Sequence, residues 1–532
     1  MAIQEDTIGQ SIFMNSADMV PSDHISRLVA AVVDEIDVSG EEAQFVGTPG
    51  NPAYPRRMLL RLMVMSAVDG IFSSRKISKL ARENVIYIHL TGNKQPDFRT
   101  ICIFRRRNEK LIEEVFCKTV LIARAIGILN LGHLATDGTR IKAYAANANS
   151  LSREEIERIR AIIKRGIEID EDEDKLYGDK RGDELPPELD TKEKIREKIR
   201  EIEEKEGKIK DAGKRMIERH ATGDERQKRK VESILDKAEA EVLKSGQESV
   251  SLIDPESRYM AKPRGWKELA YCSQITVDLA SKIVLANDVC QDSCDYWQLL
   301  PQLEKTENLI GKLKRGTKFS ADNGYYSGRN LSYLEERKLD GYIPDEKWAA
   351  RANGRDASRG KYSKRQFYYS IEGDCFICPQ GRTLTRGSVT VTDSAGLTYY
   401  YNCADCTGCP VRKVCADGEQ NRRINSRGFE AERKRMAVKM ESEKGKAVYD
   451  LRDGIEPVFG DIKQNMKHRE FVMRGLKGAK AEFSLACTAH NLKLMWNQMG
   501  RKIELVRSAA GTAAGAAILS RRALFLWSKS GC

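Results

Sequence analysis

A chain of 532 residues with 41% hydrophobic content is long enough to bury a sizeable core, so its length does not confine it to a small binding module. Lys and Arg outnumber Asp and Glu by 90 to 78, and the net charge of +12 permits attraction to a polyanion without requiring one. No run approaches the roughly 18 apolar residues of a membrane span. The opening MAIQEDTIGQSIFMNSADM also lacks the basic start and apolar centre of a secretory signal, so a cytoplasmic protein is expected. Its 13 cysteines are then reduced thiols or metal ligands rather than a disulfide framework, and six of them fall between Cys375 and Cys415.

From residue 55 to 128 the pattern is helical. PRRMLLRLMVMSAVDGI gathers Met58, Leu59, Leu62, Met63 and Met65 on one broad apolar face, and RKISKLAREN follows as a second helix. PDFRTICIFRRRNEKLIEEVF opens with Asp97 as an N-terminal cap and buries Ile101, Phe104 and Leu111. Arg105, Arg106 and Arg107 are read as exposed between these apolar positions, either docking on DNA or simply solvated on a packed bundle.

HLATDGTRIKAYA changes to a short strand, an Asp-Gly turn and a candidate second strand. Residues 151–245 are charge-dense, with Glu and Lys at three- and four-residue spacings that predict an exposed antiparallel helix pair, and DKLYGDKRGDELPPELD reads as a linker. ELAYCSQITVDLASKIVLANDV predicts a hairpin broken at Asp278. TKFSADNGYYSGRNLSYLEERKLDGYIPDE predicts a βαβ unit with Asp322 at the end of its first strand, and LKGAKAEFSLACTAHNLKLMW a final helix.

Asp137 and Asp322 share a context in which a strand ends, the acid appears and glycine follows within two residues. Each reads as a turn-forming aspartate or as a rigidly held metal ligand, the glycine letting the chain turn away. Two Mg²⁺ ions about 4 Å apart need a third acid, and Glu456 in RDGIEPVFGDIKQN is placed to supply it. Gly454 and Pro457 predict a helix beginning near Glu456, with Asp453 the better cap and Asp461 a surface acid. Tyr449, Arg452, Glu456 and Lys463 would lie within about 60° of one another on a continuous helix. Arg452 and Lys463 could then contact a phosphate, with Tyr449 stacking or donating beside them, while Arg140 and Lys142 are weaker candidates. Tyr325 and Tyr326 support either a DNA-facing loop or helix packing.

The spacing Y-x2-R-x3-E-x6-K in YDLRDGIEPVFGDIK resembles the signature around the catalytic glutamate of bacterial insertion-sequence DDE transposases of the IS4/IS5 group, most similar to the IS1182 family. LATDGTRIKAYA and FSADNGYYS resemble the segments carrying the two aspartates of that family, here Asp137 and Asp322, and the resemblance runs from about residue 45 to 500. Asn323 stands where relatives typically have alanine. The resemblance implies an α/β, RNase H-like core that begins at 129–150, resumes at 246–350 and closes at 426–500. Around it lie a helical DNA-binding domain at 1–128, the charged helical insertion at 151–245, a cysteine-rich insertion at 351–425 and a tail at 501–532.

In DCFICPQGRTLTRG and NCADCTGCPVRKVC, CxxC spacing lets a short knuckle give two sulfurs to a tetrahedral, structural Zn²⁺. Related transposases match Cys378, Cys406, Cys409 and Cys415, leaving Cys375 and Cys403 as additions. Arg412, Lys413, Arg422 and Arg423 lie in or after this insertion as candidate phosphate contacts. The expected function is a transposase that binds terminal inverted repeats, cleaves DNA with two Mg²⁺ or Mn²⁺ ions held by Asp137, Asp322 and Glu456, and joins the ends to target DNA. A dimer or larger complex on double-stranded DNA follows from an element having two ends. The alternatives are a nuclease without strand transfer and a non-catalytic DNA-binding derivative.

Overall fold

The computed structural model describes residues 15–45, 52–164, 196–197, 200, 210–261, 265, 267–349, 362–392, 396–416 and 421–500. The predicted linker DKLYGDKRGDELPPELD, much of KEKIREKIREIEEKEGKIK and the tail at 501–532 lie outside the described residues.

Among the described residues seven helices come first: α1 (Ser26–Asp34), α2 (Ser39–Ala43), α3 (Arg56–Val68), α4 (Ser74–Glu83), α5 (Val85–Thr91), α6 (Phe98–Arg107) and α7 (Glu109–Ala125). Asp97 caps α6 as its position predicts, its carboxylate accepting the Thr100 N–H at 2.7 Å. Asn108 then divides α6 from α7, its side-chain amide donating to the Phe104 carbonyl at 2.7 Å. Ile101, Phe104 and Leu111 are buried, and they share one continuous apolar core with the sheet that follows. The helical region is therefore packed into the body of the protein.

Strand β1 (His133–Lys142) runs unbroken through Asp137 and Gly138, where a turn between two strands is predicted. A single partner strand explains this, since it pairs from Leu134↔Asp278 to Lys142↔Ala270 and carries the chain past the Asp-Gly pair. The short strands β2 (Ser150–Ser152) and β3 (Ser249–Ser251) pair at the base of the insertion. Between them α8 (Asp211–Ala221) and α9 (Glu225–Ser245) are joined by a short turn and bury Ile217, Val231 and Leu235 in a core of their own. Strands β4 (Arg258–Ala261), β5 (Lys267–Asp278) and β6 (Val284–Cys290) follow, with β5 and β6 forming the predicted hairpin. Next come α10 (Leu299–Ile310), β7 (Lys318–Ala321), α11 (Gly328–Glu336) and β8 (Asp340–Tyr342), in which β7 and β8 are parallel as the βαβ pattern requires.

The main sheet has the order β4-β5-β1-β7-β8, with β6 also on β5, so it is antiparallel on one side of β1 and parallel on the other. A second sheet contains β9 (Tyr368–Ser370), β10 (Cys375–Ile377), β11 (Thr383–Thr392), β12 (Gly396–Cys403) and β13 (Arg423–Ser426), antiparallel in chain order. Phe367, Phe376, Leu384, Tyr401 and Ile424 form its separate core.

After α12 (Glu430–Glu441) and α13 (Glu443–Asp450), the chain reaches α14 (Leu476–Gln498), which is buried around most of its circumference. Such a helix passes through a core rather than lying on it. Ala479, Ala481, Ala486 and Ala489 present little bulk to their neighbours, while Leu485 and Leu492 each contribute about 1.5–3 kcal/mol of burial. Asn491 fixes the helix to the sheet: its amide oxygen accepts the Val284 N–H at 2.8 Å and its amide nitrogen donates to the Val284 carbonyl at 2.9 Å. The architecture is a mixed α/β core with a helical N-terminal region and a separate antiparallel sheet.

Candidate active site

Strands β1 and β7 run parallel in the register Leu134↔Phe319, Ala135↔Ser320 and Thr136↔Ala321. The ladder ends there, and the next residue on each strand is an aspartate, so Asp137 and Asp322 leave neighbouring strands side by side. The β7 ladder stops at this point although β1 itself continues.

Asp322 keeps one oxygen for its own turn, Oδ1 accepting the Gly324 N–H at 2.9 Å. Asp137 does the same with Gly138 at 2.8 Å and turns its other oxygen to Arg452, whose Nη2 donates at 3.0 Å. Burial pushes the Asp137 carboxyl up to about 6; the Arg452 guanidinium opposes this, and the charges of Asp322 and Asp295 add to it. Asp322 is raised by burial too, with Arg452 again opposing and Asp295 reinforcing.

The segment carrying Glu456 is helical well before that residue, contrary to the predicted start. It passes from α13 into a 3-10 turn at Leu451–Ile455, a short α segment at Glu456–Gly460 and a π turn at Asp461–Asn465. Pro457 lacks an N–H for the turn behind it, and the tighter 3-10 turn absorbs that gap. Asp453 sits inside the 3-10 turn and does not cap the α segment, which has no side-chain cap. Asp461 is half-buried rather than a plain surface acid: its Oδ2 lies 2.7 Å from His490 Nδ1, and His490 Nε2 is 3.1 Å from the Lys282 carbonyl. This link, with Ile455, Val458 and Ile462 buried beneath it, fixes the segment against α14 and the β5–β6 turn.

Three residues of the Y-R-E-K set are held in place. Arg452 meets Asp137, Lys463 Nζ bonds Thr139 Oγ1 on the same strand, and Tyr449 packs between Arg452, 6.0 Å away, and the Trp348 ring at 5.0 Å. Glu456 is exposed; its backbone N–H donates to the Asp453 carbonyl, and its side chain makes no hydrogen bond or ion pair among the described residues. The structure thus brings Asp137 and Asp322 together on neighbouring strands, and leaves Glu456 on the adjoining segment with no hydrogen bond to either.

The three arginines separate. Arg106 and Arg107 are exposed, but Arg105 is 2% exposed and donates to the Phe72 carbonyl at 2.9 Å, so its predicted place on the surface is corrected. It falls on the same helical face as Ile101 and Phe104, which carries it inward. Tyr325 is fully buried, with its hydroxyl bonded to Gln274 Oε1, which settles its alternatives in favour of packing. Lys142 pairs with Glu470 at 2.9 Å, and Arg140 binds the carbonyls of Ala261 and Ser293.

Asp295, which no sequence motif marks, lies at the same place. Its Oδ1 accepts from Gln274 Nε2 and, at 3.4 Å, from Cys272 Sγ. Gln274 pairs opposite Gly138 across β1 and β5, so this position could be inferred only once the strand register is known.

In the cysteine-rich sheet, Cys378, Cys403, Cys406, Cys409 and Cys415 line one cavity of about 20 Å³, room for a single water-sized body. Backbone N–H groups of Arg382 and Arg422 donate to the sulfurs of Cys378 at 3.2 Å and Cys406 at 3.4 Å. Burial raises the Cys415 thiol, opposed by Arg422 and reinforced by Cys378, Cys406 and Cys409. Cys375 departs from this group: it sits on β10 next to Phe376, and strand alternation turns it away from the face that Phe376 buries. All of these cysteines are free thiols, and among the described residues no group of three or more His, Cys, Asp or Glu side chains is arranged to hold a metal ion.

No helix among the described residues is long and apolar enough to cross a membrane. No curated protein matches the chain. Residues 14–107, spanning the N-terminal helices to the end of α6, match the transposase domain DUF772 family. Residues 377–496, spanning most of the cysteine-rich sheet, the Glu456 segment and nearly all of α14, match the transposase DDE domain family. Asp137 and Asp322 lie between the two matched segments. The chain is thus similar to a DUF772 transposase domain toward one end and to a transposase DDE domain toward the other.

Proposed function

We propose that the protein is an insertion-sequence transposase of the IS4/IS5 group, nearest the IS1182 family, which binds terminal inverted repeats, cleaves DNA at them and joins the freed ends to target DNA. The observation that carries this reading is the parallel register that sets Asp137 beside Asp322, with Arg452 of the Y-R-E-K segment bonded to Asp137. The meander β6-β5-β1 continued by parallel β7 and β8 supports an RNase H-like core.

Asp137, Asp322 and Glu456 offer hard carboxylate oxygens of the kind Mg²⁺ or Mn²⁺ prefers, and these residues would hold the two ions. Bound there, the ions supply an activated water or 3′-hydroxyl and stabilise the departing oxygen. Arg452 and Lys463 flank Glu456 along the segment and both bond residues of β1, which supports a role for Glu456 at the same strand end. Arg452 orients the Asp137 carboxylate and keeps a positive charge beside it, while Tyr449 braces the guanidinium. Lys463 and Arg452 then present charge to the phosphates flanking the scissile bond, and Tyr449 lines the same approach. Arg106 and Arg107 contact DNA from the helical region; Arg105 does not. Cys378, Cys406, Cys409 and Cys415 would hold a structural Zn²⁺, with Cys403 as reserve donor. The protein acts as a dimer or larger complex on paired ends.

The test is incubation of purified protein with DNA carrying both element ends and Mg²⁺ or Mn²⁺. Cleaved and joined products are expected from the wild type and none from D137N, D322N or E456A. Unchanged activity in E456A sinks the role given to Glu456, and cleavage without joining replaces the transposase by a nuclease.

A further inference from the structure

We propose that Cys272 and Cys290 are a modification site, a pair of thiols that a peroxide joins into a reversible disulfide across β5 and β6; nothing in this depends on the DNA reading above. The strand register makes the pair. Cys272 stands directly opposite Cys290 in the antiparallel ladder, so the two side chains leave the same face of the sheet. Directly opposed residues of such a ladder have Cα atoms about 4.5–5.5 Å apart, inside the span of about 4.4–6.8 Å that a disulfide bridges. The thiols meet: a hydrogen bond with Cys290, followed by burial and the Asp295 charge, holds the Cys272 thiol well above its usual range. Both cysteines are free, and they pack with Met260 and Ala270 in a small apolar cluster separate from the main core.

The two sulfurs take different parts. Cys290 is half-buried at the end of β6 and within reach of a small oxidant, whereas Cys272 is 4% exposed. Attack by the Cys290 sulfur on a peroxide breaks the O–O bond, leaves a sulfenic acid on Cys290 and releases hydroxide, which takes up the Cys290 proton. The Cys272 sulfur then attacks the Cys290 sulfur: the S–S bond forms, the S–O bond breaks, and the Cys272 proton joins the departing hydroxide as water. Two thiols and one peroxide give one disulfide and two waters, the sulfurs oxidised and the peroxide reduced. Cys272 is held for the second step, its Sγ accepting from Gln274 Nε2 at 3.1 Å and donating to Asp295 Oδ1 at 3.4 Å, so that carboxylate is placed to relay the proton. The disulfide takes away this donor and leaves Asp295 Oδ1 with the Gln274 amide. Cys294, four residues after Cys290, is exposed and lies outside the ladder, which makes it the competing thiol.

The experiment exposes the folded full-length chain to hydrogen peroxide, blocks the remaining thiols with an alkylating agent under denaturing conditions, and digests without reductant. A protease that cuts before aspartate separates all three cysteines, since Asp278 and Asp288 lie between Cys272 and Cys290, and Asp292 between Cys290 and Cys294. Mass spectrometry is expected to find the Cys272 peptide joined to the Cys290 peptide, lighter than their sum by two hydrogens, and to lose that species after dithiothreitol. C294S should keep the cross-link. C290S should lose it and leave Cys272 open to alkylation, with far-UV circular dichroism unchanged; the wild-type map decides the question by itself should C290S not fold. Cys272 still open to alkylation after the peroxide treatment, a cross-link from Cys272 to Cys294 instead, or a cross-linked Cys272 in C290S overturns the proposal.

Discussion

Replacing Glu482 by Gln is expected to abolish a specific pH dependence of stability. Glu482 lies on α14 with no exposed surface, and its oxygens accept the N–H groups of Val472 and Met473 at 3.0–3.1 Å. Burial pushes its carboxyl from 4.5 up to about 7, with Arg105 and the two N–H groups opposing. Neighbouring His468 is pushed down to about 3 by burial and by Arg105, so it stays neutral and does not act as a counter-ion. A folded-state value above the unfolded one means that the folded protein holds the proton more tightly. The contribution is fully present below pH 4.5 and is lost as the pH rises through about 7. At roughly 1.4 kcal/mol for each tenfold change in proton affinity, the loss is about 3 kcal/mol. Urea denaturation of wild type and E482Q at several pH values between 5 and 7.5 measures it. Taking the difference removes other titrating groups such as Asp254, also raised to about 6 by burial. E482Q should gain roughly 2 kcal/mol on the wild type across that range, the remainder of the loss falling below pH 5 and above pH 7.5. A difference that does not change with pH refutes the argument.

The same buried cluster separates the three arginines. R105A leaves Glu482 without the cation facing it and strips a donor from the Phe72 carbonyl, so it should cost about 3–5 kcal/mol in denaturant unfolding. R106A and R107A should stay within about 0.5 kcal/mol while weakening DNA retention in a salt titration; equal stability loss in all three would contradict the burial of Arg105. For the cysteine sheet, elemental analysis of purified protein should find about one zinc per chain. C409S and C415S should lose it and expose residues 362–426 to protease, whereas C375S should retain it, because Cys375 stands apart from the cavity. Metal-free wild type after purification and reconstitution would end the zinc assignment.

Much of the secondary structure could be read from local pattern: α3 by the helical spacing of its apolar face, and the β5–β6 hairpin by two β-rich runs around the break at Asp278. Errors arise where distant chain decides. Pairing with β5 straightens the Asp-Gly of β1 into continuous strand, and His490 turns Asp461 from a surface acid into an anchor. The burial of Arg105 is legible in the sequence, since it stands four residues after Ile101 on an apolar face that Arg106 and Arg107 do not share. The Glu456 segment shows the opposite limit. Gly454 and Pro457 do mark an irregularity, but helix already exists before them, and the irregularity becomes a change of helical pitch instead of a beginning.

The glycines after Asp137 and Asp322 are the sharpest case of a local motif with a non-local cause. Within the sequence each looks like turn chemistry, and the turn explanation is adequate until the backbone is seen to be unstrained at both. The space beside both is shared by Asp295, carried on the segment between β6 and α10 and bonded by Gln274 from β5, with the Gln274 amide as close at the first glycine and the Asp322 carboxylate closer at the second. Alanine at position 138 would therefore harm the site without any backbone strain, by driving a methyl group against Asp295 and Gln274. At 324 the neighbours must give by a few tenths of an ångström, so the milder effect belongs there. That ordering does not follow from a turn requirement, which would make the two glycines equivalent. It follows from the space at each position, where Gln274 and Asp295 crowd the first glycine and Asp322 and Asp295 stand further from the second.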